Sequence, residues 1–245
     1  MSSALRIAIV GAESTGKSTL TQALAGRIAS LTGQRCIGVV EWLRQWCEQQ
    51  GRTPRPDEQK AIALHQHRLI DEATASHDVV VCDTTALMTA VYSDLLFDDR
   101  SLVPYAIEQQ RRCGLTLLTA LDIPWVADGL QRDGPQVQLP VDNRLRALLI
   151  GHHLPWALVA GQGDARVEAA VDAVAPLLRA RGGMGGIGSA ASLGSSGSAE
   201  ASGDGPTPSG LFSRLAQRDA QPAARRWMCN DCDVPDCEHR LMNPG

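Results

Sequence analysis

The sequence predicts an α/β fold, a three-layer sandwich in which helices cover both faces of a parallel sheet. The first observation is that short apolar runs alternate with longer helical patterns between about residue 5 and residue 181. The second is that ten or more residues separate consecutive runs, as crossovers between parallel strands require. The third is compositional, because Gly, Ser and Ala dominate after residue 181, which predicts that the folded sandwich ends there.

Five short apolar runs are predicted to be the strands, since buried parallel strands are nearly continuous apolar segments. They are Leu5–Val10, Cys36–Val40, Val79–Cys82 and Leu115–Leu121, with Trp156–Ala160 as the fifth. Seven longer segments are predicted to be helices: Lys17–Leu31, Glu41–Gln50, Asp57–Ser76, Ala86–Leu95, Pro104–Arg112, Val141–Gly151 and Ala165–Arg181.

The composition predicts a folded domain at 1–181, a disordered Gly/Ser/Ala linker at 182–209 and a small Cys/His-rich tail at 210–245. The linker has too little bulky apolar surface to offset the entropy of ordering it. The net charge of −4 does not favour a nucleic acid as the main partner. The chain lacks an apolar run of about 18 residues, so we expect no membrane span.

Seven cysteines in a chain whose first apolar run is too short for an export signal predict reduced thiols and a cytoplasmic protein.

The strongest motif lies between the first predicted strand and the first predicted helix. Residues 11–18 read Gly-Ala-Glu-Ser-Thr-Gly-Lys-Ser, which matches the phosphate-binding P-loop pattern in full and in the expected context. Glycines let the backbone turn closely around phosphate, and the helix N-terminus offers amide donors. Lys17 is expected to reach the β- and γ-phosphates of ATP, and the Ser18 hydroxyl to ligate Mg²⁺. The predicted nucleotide-binding residues are Gly11, Ala12, Glu13, Ser14, Thr15, Gly16, Lys17, Ser18 and Thr19.

Two carboxylates follow predicted strands, at the edge where ligands of open α/β sheets collect. Asp83 follows the third strand, where it could hold Mg²⁺ through water or accept a proton from a substrate hydroxyl. Its alternative role is to cap the next helix, since Asp83, Thr84 and Thr85 all suit that position. Glu41 follows the second strand and could bind a sugar hydroxyl or merely start the next helix.

Four segments together carry a resemblance to a known family: GAESTGKSTL, VVEWLRQW, VCDTTALMTAVYS and LDIPWVADGLQRDG. In order and spacing they resemble the ribosylnicotinamide kinase domain of NadR-type proteins, over roughly residues 7–174. The resemblance implies a P-loop kinase-like sandwich that transfers the γ-phosphate of ATP to the 5′-hydroxyl of nicotinamide riboside, a step of NAD biosynthesis. It also implies that Glu41 and Arg44 lie near the nucleoside, that Asp83 lies near its hydroxyl and the metal, and that residues 122–133 form a lid.

The chain departs from the family at two places. The family pattern after the third strand is Asp-Thr-Asp, whereas Thr85 stands here at the third position. The family lid reads DGLR, whereas Gln131 here precedes Arg132. Arg132 could still stabilise the transferring phosphoryl group, with Arg144 as a second candidate, since a guanidinium matches phosphate oxygens. Both arginines could instead simply be exposed to solvent.

Two further features of this region each have two interpretations. Trp125 in the lid could cover a base or a nicotinamide ring, or pack the lid against the core. Residues 161–163, Gly-Gln-Gly, could wrap the adenine or only connect a strand to a helix.

The tail contains a cluster of metal-ligating residue types. Cys229, Cys232, Cys237 and His239 have the spacing C-x2-C-x4-C-x-H, and three thiolates with one imidazole suit a tetrahedral structural Zn²⁺. An iron–sulfur cluster and a disordered Cys-rich tail are the alternatives. The tail could also dock a protein partner.

Two functions remain open from the sequence. In the first, the protein is a nucleoside kinase with Lys17, Asp83 and Arg132 as catalytic residues and Ser18 and Asp83 as the Mg²⁺ site. Glu41, Arg44, Asp83 and Trp125 would then bind the small-molecule nucleoside. In the second, it is a nucleotide-dependent regulatory or assembly ATPase whose tail is a tethered interaction module.

Overall fold

The computed structural model of the protein describes residues 4–126 and 135–182. A single sheet of five strands organises them: β1 (Leu5–Val10), β2 (Cys36–Val39), β3 (Val79–Asp83), β4 (Leu115–Thr119) and β5 (Trp156–Val159). The strand order is β2-β3-β1-β4-β5, and every neighbouring pair is parallel. The predicted parallel α/β fold is therefore confirmed.

Seven α-helices connect and follow the strands in the described residues: α1 (Lys17–Thr32), α2 (Trp42–Gln50), α3 (Gln59–Ser76), α4 (Ala86–Phe97), α5 (Val103–Gln110), α6 (Gln138–Gly151) and α7 (Gly163–Ala180). Two 3₁₀ turns, Pro56–Glu58 and Pro135–Val137, precede α3 and α6.

The differences from the predicted bounds are local. Helix α6 begins three residues earlier than predicted, because Pro140 lies in its first turn, where a missing N–H costs no helical hydrogen bond. Residues 57 and 58 belong to the 3₁₀ turn and not to α3. Strand β4 ends at Thr119 and not at Leu121, since the chain leaves the sheet there.

The core consists of apolar clusters on both faces of the sheet, as a three-layer sandwich requires. On one face, Ile7 and Ile9 of β1 pack with α1 and α7 through Leu24 and Leu178. On the other face, Val10 packs with α4 and α6. Because β1 is buried on both faces, its sequence reads as an apolar run and not as an alternation.

The connection from β1 runs to β2 on one side of the sheet, whereas the connection from β3 passes β1 to reach β4 on the other side. In open α/β sheets ligands bind at such a switch point, beyond the carboxyl ends of the strands. The loops that follow β1, β2, β3 and β4 meet at that edge, and they carry the P-loop, Glu41, Asp83 and the start of the predicted lid.

Apart from Gly182, the predicted linker 182–209 and the whole tail 210–245 lie outside the described residues. Within the described part of the chain, every helix is too short or too polar to cross a bilayer.

Candidate active site

The P-loop rests on the end of β4. Gly11 has φ +154° and Gly16 has φ +74°, so both use backbone conformations that favour glycine. A Cβ at Gly11 would lie 1.9 Å from the Thr119 Oγ1 atom. The Thr15 hydroxyl donates to the Ala12 carbonyl at 2.8 Å and lies 2.7 Å from the Thr119 hydroxyl. Loop and strand are thus in direct contact, which fixes the shape of the loop.

Lys17 begins α1 with its ammonium inside the site. Its Nζ donates to the Ala12 carbonyl at 2.8 Å. Burial lowers the pKa of Lys17, and the nearby carboxylates of Glu41, Asp83 and Glu13 oppose that shift. The lysine therefore supplies a buried positive charge surrounded by carboxylates. Because little water screens this charge, it would interact strongly with phosphate oxygens.

Ser18 and Asp83 come from different elements and meet at the same edge of the sheet. Asp83, the last residue of β3, is 3% exposed. Burial raises its pKa, while a hydrogen bond from the Ser18 hydroxyl and the charges of Lys17 and Arg44 lower it. Its Oδ1 atom has no hydrogen-bond partner among the described residues.

A hydroxyl beside a carboxylate with an unused oxygen fits Mg²⁺, which takes one or two protein ligands and completes its shell with water and phosphate. No group of three or more His, Cys, Asp and Glu within residues 4–126 and 135–182 is placed to hold a metal ion.

The helix-capping role that the sequence left open for Asp83 belongs to Thr85. Thr85 is the N-cap of α4, and its hydroxyl accepts from the Leu87 amide at 3.3 Å. The same hydroxyl donates to the Gln110 side chain at 2.7 Å. Thr85 is thus bonded into the core, and Asp83 is left beside Ser18.

A cavity of about 320 Å³ lies where the P-loop meets α2. Glu13, Ser14 and Lys17 line it from the P-loop, and Glu41 and Arg44 line it from the start of α2. Apart from Thr53 and Gln59, its remaining walls are apolar or aromatic: Leu43, Cys47, Pro54, Tyr92, Leu96 and Phe97. We call this cavity the acceptor pocket. It has the size and the mixed lining of a small-molecule site.

Glu41 and Arg44 lie close together at the N-terminus of α2. Glu41 is the N-cap residue, but its side chain makes no capping hydrogen bond. Instead its carboxylate lies 3.8 Å from the Arg44 Nε atom and lines the acceptor pocket with Lys17. The side chain therefore belongs to the wall of the acceptor pocket and does not cap the helix.

The described part of the lid contacts the P-loop and not the acceptor pocket. The Ser14 hydroxyl donates to the Val126 carbonyl at 2.6 Å and accepts from the Val126 amide at 3.0 Å. Trp125 is half-buried, does not line the acceptor pocket, and its Nε1 atom has no hydrogen-bond partner in the described chain.

Of the two arginines predicted to contact the transferring phosphoryl group, only Arg144 lies within the described residues. Arg132 lies outside the described residues. Arg144 on α6 forms an ion pair with Asp94 of α4 at 2.5 Å, so its guanidinium joins two helices.

The loop after β5 is attached to Asp122, the first residue of the predicted lid. The Gly161 amide donates to the Asp122 carboxylate at 2.6 Å, and the Gln162 side chain donates to the Asp122 carbonyl at 3.2 Å. Arg166 of α7 donates to the same carboxylate and to the Ala120 carbonyl, both at 3.0 Å. These contacts connect residues 161–163 to Asp122, and the adenine-binding role of the loop stays a prediction.

Sequence reasoning missed the apolar half of the acceptor pocket. Tyr92 and Leu96 are one helical turn apart on α4, and Phe97 follows them. This segment is apolar nearly all round, so its hydrophobic pattern does not mark the face that lines a pocket. Gln59 was also missed, because a single glutamine at a helix start carries no distinguishing signal. The predicted metal ligands Cys229, Cys232, Cys237 and His239 lie outside the described residues.

Comparison with known proteins agrees with this architecture. The model of the AAA domain family matches residues 6–166. The match to the crystal structure of NadR in complex with NR has a TM-score of 0.59 and a sequence identity of 22%, and it covers 71% of this chain and 51% of the NadR chain. The match to the crystal structure of NadR in complex with NAD and AMP-PNP has a TM-score of 0.56 and a sequence identity of 20%, and it covers 71% of this chain and 49% of the NadR chain. The match to the structure of deoxyadenosine kinase from M. mycoides has a TM-score of 0.47 and a sequence identity of 12%, and it covers 71% of this chain and 100% of the kinase chain.

No curated protein matches the sequence significantly. The chain matches about half the length of the NadR chains, so the likeness concerns one part of those proteins. At these identities the two NadR matches establish a shared fold, and the predicted resemblance to NadR is confirmed at that level.

Proposed function

The chain belongs to the AAA domain family, and we propose that it is an ATP-dependent kinase that phosphorylates a hydroxyl of a small nucleoside, with nicotinamide riboside as its first acceptor. One observation carries this proposal: the acceptor pocket opens directly onto Lys17 of the P-loop. An ATPase needs room there only for water, whereas a cavity of about 320 Å³ suits a second, nucleoside-sized substrate.

The choice of nicotinamide riboside rests on three supports. The sequence motifs resemble the NadR kinase domain, and the NadR structures share the fold. The pocket combines a polar end at Glu41 and Arg44 with aromatic walls at Tyr92 and Phe97, as a ribose joined to a flat ring requires. The carboxylates of Glu13 and Glu41 would also favour a cationic pyridinium ring electrostatically.

The residues have the following roles in the proposed reaction. Lys17 stabilises the charge on the β- and γ-phosphates, and Glu41 positions the ribose hydroxyl. Ser18 and Asp83 would hold Mg²⁺, which supplies further charge neutralisation when bound. The acceptor oxygen forms a bond to the γ-phosphorus while the bond to the leaving ADP oxygen breaks. Asp83 takes the hydroxyl proton or orients it, and its burial-raised pKa makes it a stronger base than an exposed carboxylate.

The test is ADP formation by the purified full chain with Mg-ATP and a panel of nucleosides. We expect nicotinamide riboside to raise the rate well above the rate without an acceptor. Lys17→Met should lower turnover at least about 100-fold, while Lys60→Met, at an exposed position of α3, should not change it. ADP release that is slow and indifferent to every nucleoside would refute the kinase and indicate the regulatory ATPase.

A further inference from the structure

Gln59 differs from the other two glutamines that are almost fully buried within the described residues. It is 4% exposed, it lines the acceptor pocket, and its Oε1 atom has no hydrogen-bond partner among the described residues. Gln66 and Gln110 are similarly buried, at 3% and 1%. Gln66 bonds the Trp42 amide and the Val40 carbonyl, and Gln110 bonds Thr85 and Thr116. Buried polar atoms are normally bonded, so the Gln59 amide indicates a partner that comes from outside the protein.

The backbone that carries Gln59 is held firmly. It follows the 3₁₀ turn Pro56–Glu58, and the Glu58 carboxylate accepts from both terminal nitrogens of Arg52 at 2.7 Å and from the Arg55 amide at 2.8 Å. The Arg52 guanidinium also lies over the Trp46 ring at 5.0 Å. A loop bonded in this way can present a side chain to a ligand in one place, which is what selective recognition needs.

The surroundings of Gln59 suit the ring end of an acceptor. The ribose hydroxyl must lie near Lys17 and Glu41 if it is to receive the phosphoryl group. The walls contributed by Leu43, Tyr92 and Phe97 are then left for a flat, largely apolar ring. An amide among such walls is a directional polar contact in an otherwise apolar surface, and such contacts decide orientation and specificity.

We propose that Gln59 selects acceptors whose ring carries a neutral primary carboxamide over acceptors whose ring carries a carboxylate. This inference rests on the proposed function and names the class of its acceptor. A carboxamide N–H can donate to the Gln59 Oε1 atom, and the carboxamide oxygen can accept from the Gln59 Nε2 group. A carboxylate has no hydrogen to donate, and it would bring a further negative charge into a pocket that already contains Glu13 and Glu41.

The experiment is calorimetric titration of nicotinamide riboside and nicotinic acid riboside into the full chain. We expect the wild type to bind the carboxamide at least about 10-fold more tightly. Gln59→Leu should weaken that binding about 10- to 100-fold and reduce the preference to the part that Glu13 and Glu41 cause, because its side chain can make no hydrogen bond. Gln59→Glu, which keeps the shape, should keep or enlarge the preference, since its carboxylate repels the acid. The matched control is Gln22→Leu at an exposed position of α1, which should behave as the wild type.

The remaining outcomes of the titration decide between the inference and its alternatives. Equal affinities in the wild type, or an unchanged preference in Gln59→Leu, would overturn the inference. Failure of the wild type to bind either riboside would overturn both the inference and the proposed function. Turnover is measured in parallel. A preference in binding that depends on Gln59, without any ADP formed, would refute the kinase activity and leave the assignment of Gln59 standing.

Discussion

Gly11→Ala tests how closely the P-loop is fitted to the sheet beneath it. A Cβ at this position would lie 1.9 Å from the Thr119 Oγ1 atom, while the next-nearest atoms, Cβ and N of Thr119, lie at 3.2 and 3.3 Å. The clash is therefore with a single hydroxyl. The backbone φ of +154° adds strain for any residue with a side chain, whatever space is available.

The two contributions can be separated in magnitude. Forcing the loop and β4 apart costs about 1–3 kcal/mol, and the unfavourable backbone conformation costs about 1–3 kcal/mol. We therefore expect Gly11→Ala to lower the free energy of unfolding by about 4 kcal/mol. Thr119→Ala alone should cost about 1 kcal/mol, because Thr15 loses its bond to Thr119 but keeps its bond to Ala12.

In the double variant the clashing hydroxyl is absent, so only the backbone strain and the lost hydrogen bond remain. The expected total is about 3 kcal/mol instead of the additive value of about 5 kcal/mol, a coupling of about 2 kcal/mol between contacting residues. Urea unfolding of the wild type, both single variants and the double variant measures this coupling. If the losses in the free energy of unfolding are additive, Gly11 and Thr119 are not in close contact, and the described contact between the P-loop and β4 is wrong.

Three other predictions follow from the site and the tail. Asp83→Asn should lower turnover at least about 100-fold and yet raise stability at pH 7 without nucleotide or metal. Burial raises the native pKa of Asp83, so the wild type loses stability as the pH rises from the ordinary carboxyl pKa through the raised one. Urea unfolding between pH 4 and pH 8 should show this loss in the wild type and a flatter profile in the variant. Arg166→Leu should cost about 3 kcal/mol in urea unfolding, whereas Arg27→Leu, whose ion pair is exposed, should cost no more than about 0.5 kcal/mol; equal losses would contradict the buried role of Arg166. The Cys229→Ser, Cys232→Ser variant should lose the single zinc per chain that we expect in the wild type, and equal zinc content by metal analysis would remove the predicted site.

The sequence was informative where a residue's role depends on its neighbours along the chain. The P-loop was predictable because its glycines, its lysine and its flanking strand and helix are consecutive. Asp83 and Glu41 were predictable as edge residues, because a residue that follows a parallel strand lies at the ligand-binding edge whatever the strand order. The boundaries failed where one residue can end either element, as at Pro140 in the first turn of α6.

The acceptor pocket was not predictable, because its walls are brought together by tertiary packing. Phe97, Pro54 and Gln59 come from α4, from the loop before α3 and from α3 itself, and no short-range pattern links them. The role of Trp125 stays a prediction for a related reason. An aromatic residue in a lid suggests a cover for a ring, yet the described lid contacts Ser14 on the P-loop and leaves Trp125 outside the pocket.

Thr85 decides how much weight the departure from the NadR pattern carries against a kinase. A missing carboxylate after β3 favours a regulatory ATPase only if that position faces the substrate. The Thr85 hydroxyl is instead bonded to Gln110 and to the Leu87 amide, and Thr85 does not line the acceptor pocket. The substitution therefore removes no group from the pocket, where Lys17 and Glu41 are both retained. Of the two departures from the family pattern, the one at Thr85 therefore carries no weight against a kinase.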